Sequence, residues 1–201
     1  MKLRSSPLSP FVRKVRVCAL ETGQHDQLEL VTTVTTDPAS DLWRDNPLVK
    51  IPALVFDDGE SLYDSAVICE YLDSRHQGPK LFPKEGAARW ATLRRQALAD
   101  GMMDAAVLRR YESIRPQNLQ SADWDAAQKR RVDHGLAVLE KEAGSFGETI
   151  DIGTLTVAVM LDYLNFRFAV DDWAGKCPAL ALWHQKISTR PSLAATLPPT
   201  G

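Results

Sequence analysis

The chain has 201 residues, 44% hydrophobic and 25% charged, proportions of a folded globular protein with room for a sizeable core. Its 24 Lys and Arg against 26 Asp and Glu leave a formal charge of −2, with −3 over residues 1–80 and +1 over the rest, which excludes a basic arm and argues against a nucleic-acid partner. No apolar run approaches the roughly 20 residues of a membrane helix and no signal-peptide core follows Met1, so a cytoplasmic protein without a membrane partner is expected.

Met1 to Ser6 reads as a strand. Ser9 then suits a helix N-cap, Pro10 the first helical position, and Gly23 the left-handed residue that ends a run from Phe11 to about Thr22. Leu28 to Val34 is rich in β-branched residues and predicts a second strand, followed by a turn or short helix from Asp37 to Arg44. Ile51 to Phe56 and Ser61 to Tyr63 flank an Asp57-Asp58-Gly59-Glu60 turn and predict a hairpin, and Asp64-Ser65 opens a helix to about Ser74.

Gly78, Pro79, Pro83 and Gly86 mark residues 77–88 as a linker. Beyond it the pattern is helical. Trp90, Leu93, Ala97, Gly101, Ala105 and Leu108 recur at helical spacing from Arg89 to about Ile114, a rod near ~39 Å. A second helix covers Asp123 to Ala143. A third starts at Asp151, with Thr154 at its third position and Ile150 and Leu155 as a hydrophobic staple. From Leu155 to Val170 that helix is apolar nearly all round and belongs in the middle of a bundle. Pro178 begins a last helix to about Ser188. The expected division is residues 1–76, a linker at 77–88, and a helical domain at 89–201.

Cys18, Cys69 and Cys177 are odd in number and far apart, so they read as small core residues and not as a disulfide framework. His25, His76, His134 and His184 stand alone, with no partner at metal-ligand spacing, and read as ordinary surface or helix residues; no metal is expected. Neither a Walker-type loop nor a GxGxxG occurs.

Chemistry concentrates in three stretches of the first 75 residues: Ser9-Pro10-Phe11-Val12-Arg13-Lys14-Val15, Asn46-Pro47-Leu48-Val49-Lys50-Ile51-Pro52-Ala53-Leu54, and Asp64-Ser65-Ala66. With the capped helix at Asp151, these resemble the glutathione transferase superfamily over nearly the whole chain. The resemblance implies a thioredoxin-like α/β N-terminal domain and an all-α C-terminal bundle, in a bacterial serine-type member. Glutathione is then the co-substrate, a small electrophile its acceptor, and the protein a homodimer.

A free thiol has a pKa of about 8.5, so at neutral pH something must stabilise its anion. Ser9, at a helix N-terminus where the dipole favours negative charge, is the candidate catalytic donor. It would donate a hydrogen bond and not act as the nucleophile. The resemblance further implies that glutathione is bound by Ser9, Phe11, Lys50, Ile51, Pro52, Asp64 and Ser65. Ile51 before a cis Pro52 would pair with the cysteinyl backbone, Lys50 with the glycyl carboxylate, Ser65 with the γ-glutamyl carboxylate, and Asp64 with its ammonium. Asp104 would reach the glutathione of a partner subunit. Two positions depart from the family pattern: Val49 stands where Gly is common, and Asp151 with Thr154 exchange the usual cap roles. The acceptor pocket is expected near Leu8 and around Met102, Met103, Ala106, Arg109 and Arg110. A glutathione-dependent disulfide reductase or peroxidase, and a non-catalytic glutathione-binding module, are the alternatives.

Overall fold

The computed structural model describes residues 1–199. Strand β1 (Lys2–Ser5) leads to helix α1 (Pro10–Glu21), strand β2 (Glu29–Thr32), the short α2 (Leu42–Asp45), the hairpin β3 (Ala53–Val55) and β4 (Ser61–Leu62), and α3 (Ser65–Ser74). The sheet order is β2-β1-β3-β4, with β2 parallel to β1 and both hairpin strands antiparallel to their neighbours. This is the thioredoxin-like arrangement the resemblance implies. Leu3 and Leu54 pair across β1 and β3, both fully buried, and with α1 and α3 they build the core of this half.

Helix α1 begins and ends as its residues dictate. The Ser9 side chain accepts from the Val12 N–H, and Pro10 fills the first position, where a missing N–H costs nothing. At the other end Gly23 has φ +68°, while the Gln24 N–H bonds to Ala19 O and the Gly23 N–H to Leu20 O, the paired bonds of a Schellman stop.

The second half comprises α4 (Gly86–Ser113), α5 (Ala122–Glu142), α6 (Ile152–Phe168), α7 (Trp173–Lys176), α8 (Pro178–Ile187) and α9 (Pro191–Ala194). Helix α6 is buried on every side from Ile152 to Leu164 and packs on α4 and, across the two halves, on α1. Its start is a full capping box, with Thr154 N–H on Asp151 Oδ1 at 2.7 Å and Asp151 N–H on Thr154 Oγ1 at 2.9 Å. Gly153 is required here, because a Cβ would lie 2.6 Å from the Thr92 carbonyl oxygen of α4.

Three expectations need correction. The linker is partly core: Leu81 and Phe82 are buried, and their N–H groups bond to the buried Asp73 carboxylate. Helix α4 starts three residues earlier than Arg89, at Gly86, so Pro83 and Gly86 mark its entry and not an extended break. The short helices α7 and α9 were not visible as periodic segments, since four residues span little more than one turn.

Candidate active site

The sheet register brings the three sequence stretches together. Arg4 pairs with Ala53 across antiparallel β1 and β3, so the exit of β1 toward Ser9 adjoins the entry of β3 from Ile51-Pro52. Leu54 pairs with Leu62, which brings the exit of β4 toward Asp64-Ser65 to the same end. Ser9, Ile51-Pro52 and Asp64-Ser65 therefore lie at one end of the sheet's strands. The Ile51–Pro52 bond is cis, in agreement with the resemblance.

Ser9 Oγ accepts from Val12 N at 3.3 Å, which occupies the oxygen as an acceptor and leaves its proton without an acceptor among the described residues. Ser9 lines a narrow crevice with Leu8, Pro10, Arg13, Val159 and Tyr163. Phe11 is partly buried and packs on the core. Asp64 caps α3 by accepting from Ala66 N at 2.9 Å, and Ser65 is buried behind it with no side-chain partner among the described residues.

The loop before Pro52 is held by Asn46, which is buried. Its side chain accepts from the Leu48 N–H and donates to Lys50 O at 2.9 Å. This positioning role was not recognised from sequence, although Asn-Pro is a turn signal. Val49 adopts φ +52°, the left-handed region that favours glycine, so the backbone of the family pattern is retained at the expense of a β-branched residue.

Two neighbouring cations of α1 cross to the helical half. Lys14, fully buried, holds both oxygens of Asp100 at 2.7 and 2.8 Å. Burial nevertheless raises the Asp100 carboxyl above the ordinary range, against the pull of Lys14 and with the push of Asp64 and Asp104. Burial also raises Asp104, opposed by Lys50 and Lys14 and reinforced by Asp64. Asp64, Asp100, Asp104, Lys14 and Lys50 thus share one electrostatic neighbourhood within a single chain.

Arg13 enters a second cluster. Its Nη2 bonds to Asp162 Oδ2 at 2.7 Å and Leu193 O at 3.1 Å, and its Nε to Thr196 O at 2.9 Å. His184 Nε2 lies 2.8 Å from Asp162 Oδ1 and 3.1 Å from Ser188 Oγ. One ring nitrogen faces both partners, so this Ser-His-Asp grouping lacks the relay geometry of a nucleophilic triad, which uses both. Sequence reasoning gave Arg13 no partner and placed His184 among ordinary residues. Their partners lie on other elements, and nothing local announces them.

The expected acceptor lining is only partly right. Leu8 borders the crevice, but Met102 and Met103 are core residues, and Arg109 is tied to Asp125 at 3.1 Å and Asp171 at 2.6 Å. The three cysteines are buried and free, and hydrogen bonding with Cys69, reinforced by burial, pushes the Cys18 thiol well up. Among the described residues no group of His, Cys, Asp or Glu is arranged to hold a metal ion, and no helix is long and apolar enough to cross a membrane.

A two-layer α/β unit with a cis-proline loop beside a helix-capping serine, joined to a helical bundle, defines a thioredoxin-like fold with a helical second half. Residues 3–80 match the family model for the glutathione S-transferase N-terminal domain. The uncharacterized GST-like protein YibF of Escherichia coli is 33% identical over 99% of both chains. A glutathione transferase family member from Pseudomonas fluorescens with bound glutathione is 45% identical, covers 99% of each chain and superposes with a TM-score of 0.95. Its structure with bound S-(propanoic acid)-glutathione is 44% identical over the full length of both chains, with a TM-score of 0.91. The chain belongs to the glutathione S-transferase family.

Proposed function

We propose that the protein is a serine-type glutathione transferase, which holds the glutathione thiolate at Ser9 and conjugates it to a small electrophile. The observation that carries this reading is the Ser9 hydroxyl at the start of α1, whose oxygen is engaged by the Val12 N–H and whose proton has no acceptor among the described residues. Glutathione held by similar chains, and a glutathione thioether held by one of them, support the choice of ligand.

In this reading the thiol proton leaves to solvent, and the Ser9 O–H donates to the sulfur anion at the positive end of α1. The sulfur forms a bond to the electrophilic carbon while the leaving group departs with its electron pair. The Ile51 backbone pairs with the cysteinyl unit. Ser65, at the N-terminus of α3, takes the γ-glutamyl carboxylate. Asp64 takes the ammonium, which adds a further cation beside the raised carboxyls of Asp100 and Asp104. Lys50 takes the glycyl carboxylate. A cytoplasmic homodimer, with Asp104 also reaching the partner's glutathione, completes the proposal.

Ser9→Ala tests it. With an aromatic halide, kcat is expected to fall by roughly 10²-fold while the glutathione dissociation constant changes little. Unchanged kcat removes the role given to Ser9. Parallel assays with disulfides and peroxides separate conjugation from glutathione-dependent reduction, for which the buried cysteines supply no accessible protein thiol. Calorimetry without glutathione binding would leave only the non-catalytic alternative.

A further inference from the structure

The crevice beside Ser9 takes part of its lining from the far end of the chain. Val159 and Tyr163, one turn apart on α6 and both buried, line it with Leu8, which precedes α1, and with Pro198, which follows α9. Polar ties to α1 bring this last segment there. Arg190 holds Glu21, the final residue of α1, with two bonds of 2.7 Å, and Ser192 Oγ donates to the same carboxylate. About 12 Å nearer the start of α1, Arg13 donates from Nη2 to Leu193 O at 3.1 Å, and from Nε to Thr196 O at 2.9 Å and Thr196 Oγ1 at 3.3 Å.

The second fastening adjoins the crevice. Arg13 lies one turn beyond Ser9, its backbone N–H bonds to Ser9 O at 3.0 Å, and its side chain lines the crevice. Asp162 of α6 fixes the same guanidinium at 2.7 Å, so α1, α6 and the chain after α9 meet at one planar group with donors in a rigid fork. Thr196 Oγ1 in turn donates to Ser192 O at 2.9 Å, which keeps Thr196 folded back on α9. Pro198 is two residues further on, a reach of at most about 7 Å, and its ring fixes its own φ. The place of Thr196 therefore sets the place of Pro198.

We infer that Arg13 is a positioning residue for acceptor specificity: by holding Thr196 it sets Pro198 at the crevice beside Ser9 and so favours small acceptors over bulky ones. The inference rests on the conjugation reading above and adds the size class of the acceptor. A thioether formed at Ser9 has to find room among Leu8, Tyr163 and Pro198 in a narrow crevice, and an aryl group needs more room than a methyl group. Arg13 touches neither reactant in this role; it acts through the chain that it holds.

The test compares 1-chloro-2,4-dinitrobenzene with iodomethane, each kcat/KM divided by the uncatalysed rate with glutathione. A chain ending at Leu197, which lacks Pro198 but keeps the Thr196 carbonyl, is expected to raise the aryl-to-methyl ratio about tenfold over the native protein. Arg13→Lys keeps a cation for Asp162 but loses the fork on Leu193 and Thr196, and is expected to raise the ratio part of the way. Thr196→Val removes the hydroxyl from the tie, leaves the Arg13–Asp162 pair in place and should act in the same direction. A native ratio in the shortened chain, or in both tie variants, overturns the inference while leaving the role of Ser9 intact. Calorimetry gives a readout independent of turnover: S-(2,4-dinitrophenyl)glutathione is expected to gain about tenfold in affinity relative to S-methylglutathione in the shortened chain. Unchanged relative affinities overturn the inference. If glutathione binds but neither halide is conjugated, the conjugation reading falls and the calorimetric ratio decides this one. If glutathione itself does not bind, both fall.

Discussion

Arg13 and Lys14 are neighbours on α1, both buried, and each crosses to a carboxylate of the helical half, yet the two carboxylates move in opposite directions. Burial acts to raise both. At Asp162 the bonds from His184 and Arg13 outweigh it, and the carboxyl falls below the ordinary range. At Asp100 the bonds from Lys14 do not, because Asp64 and Asp104 add negative charge from the side. The first pair is enclosed by Thr196, Leu193 and His184 and serves as a clamp between the halves. The second is left short of positive charge at the edge where a ligand's ammonium would arrive. Similar ion pairs one residue apart thus leave their carboxyls shifted in opposite directions, and the surrounding charges contribute to the difference.

The largest expected effect breaks the clamp. Asp162→Ala strands the Arg13 guanidinium, and a loss of about 3–5 kcal/mol in unfolding free energy is expected in urea titrations. Asp100→Asn keeps an acceptor for Lys14 and mimics the neutral carboxyl that burial favours, so it should cost under about 1 kcal/mol, while weakening glutathione binding. Equal losses would erase the distinction between the two pairs.

The pH dependence sharpens it. Asp162 has a folded pKa below its unfolded value, so its stabilisation is present above the ordinary carboxylate range and is lost as pH falls through the lowered folded value. Asp100 has a folded pKa above its unfolded value, so its cost is present at neutral pH and disappears as pH falls through the raised value. Unfolding free energies between pH 3 and 7 should therefore show a shallower acid limb in Asp162→Asn and the loss of a mild rise on acidification in Asp100→Asn. Glutathione affinity should fall as pH drops through the raised Asp100 and Asp104 values, measured by calorimetry.

Smaller effects separate site from scaffold. Ser9→Ala removes an N-cap and should cost about 1 kcal/mol, far less than its expected effect on turnover. Val49→Gly relieves a left-handed β-branched residue but adds chain entropy, for a net gain of about 0.5 kcal/mol. Thermal denaturation measures both.

Much of this was legible in the residues. Ser9, Pro10 and Gly23 bound α1 through capping chemistry that acts within a few residues, and the all-apolar run after Asp151 had to be central. The three site stretches were recognisable together, although their convergence depends on strand register. What stayed hidden was pairing at long range. Lys14 and Asp100 are 86 residues apart and Arg13 and Asp162 are 149 apart, and a cation on a helix looks solvated until its partner is known. Arg109 misled for the same reason, since its carboxylates lie on other segments.

The pairing of Leu3 with Leu54 has a consequence for recognition as well as for packing. A slip of one residue in β3 would turn Leu54 out of the core and carry Ile51-Pro52 about 3.3 Å along the sheet edge. Leu54 therefore works as a gauge: the apolar interior of the sheet measures out where the Ile51-Pro52 backbone stops relative to Ser9.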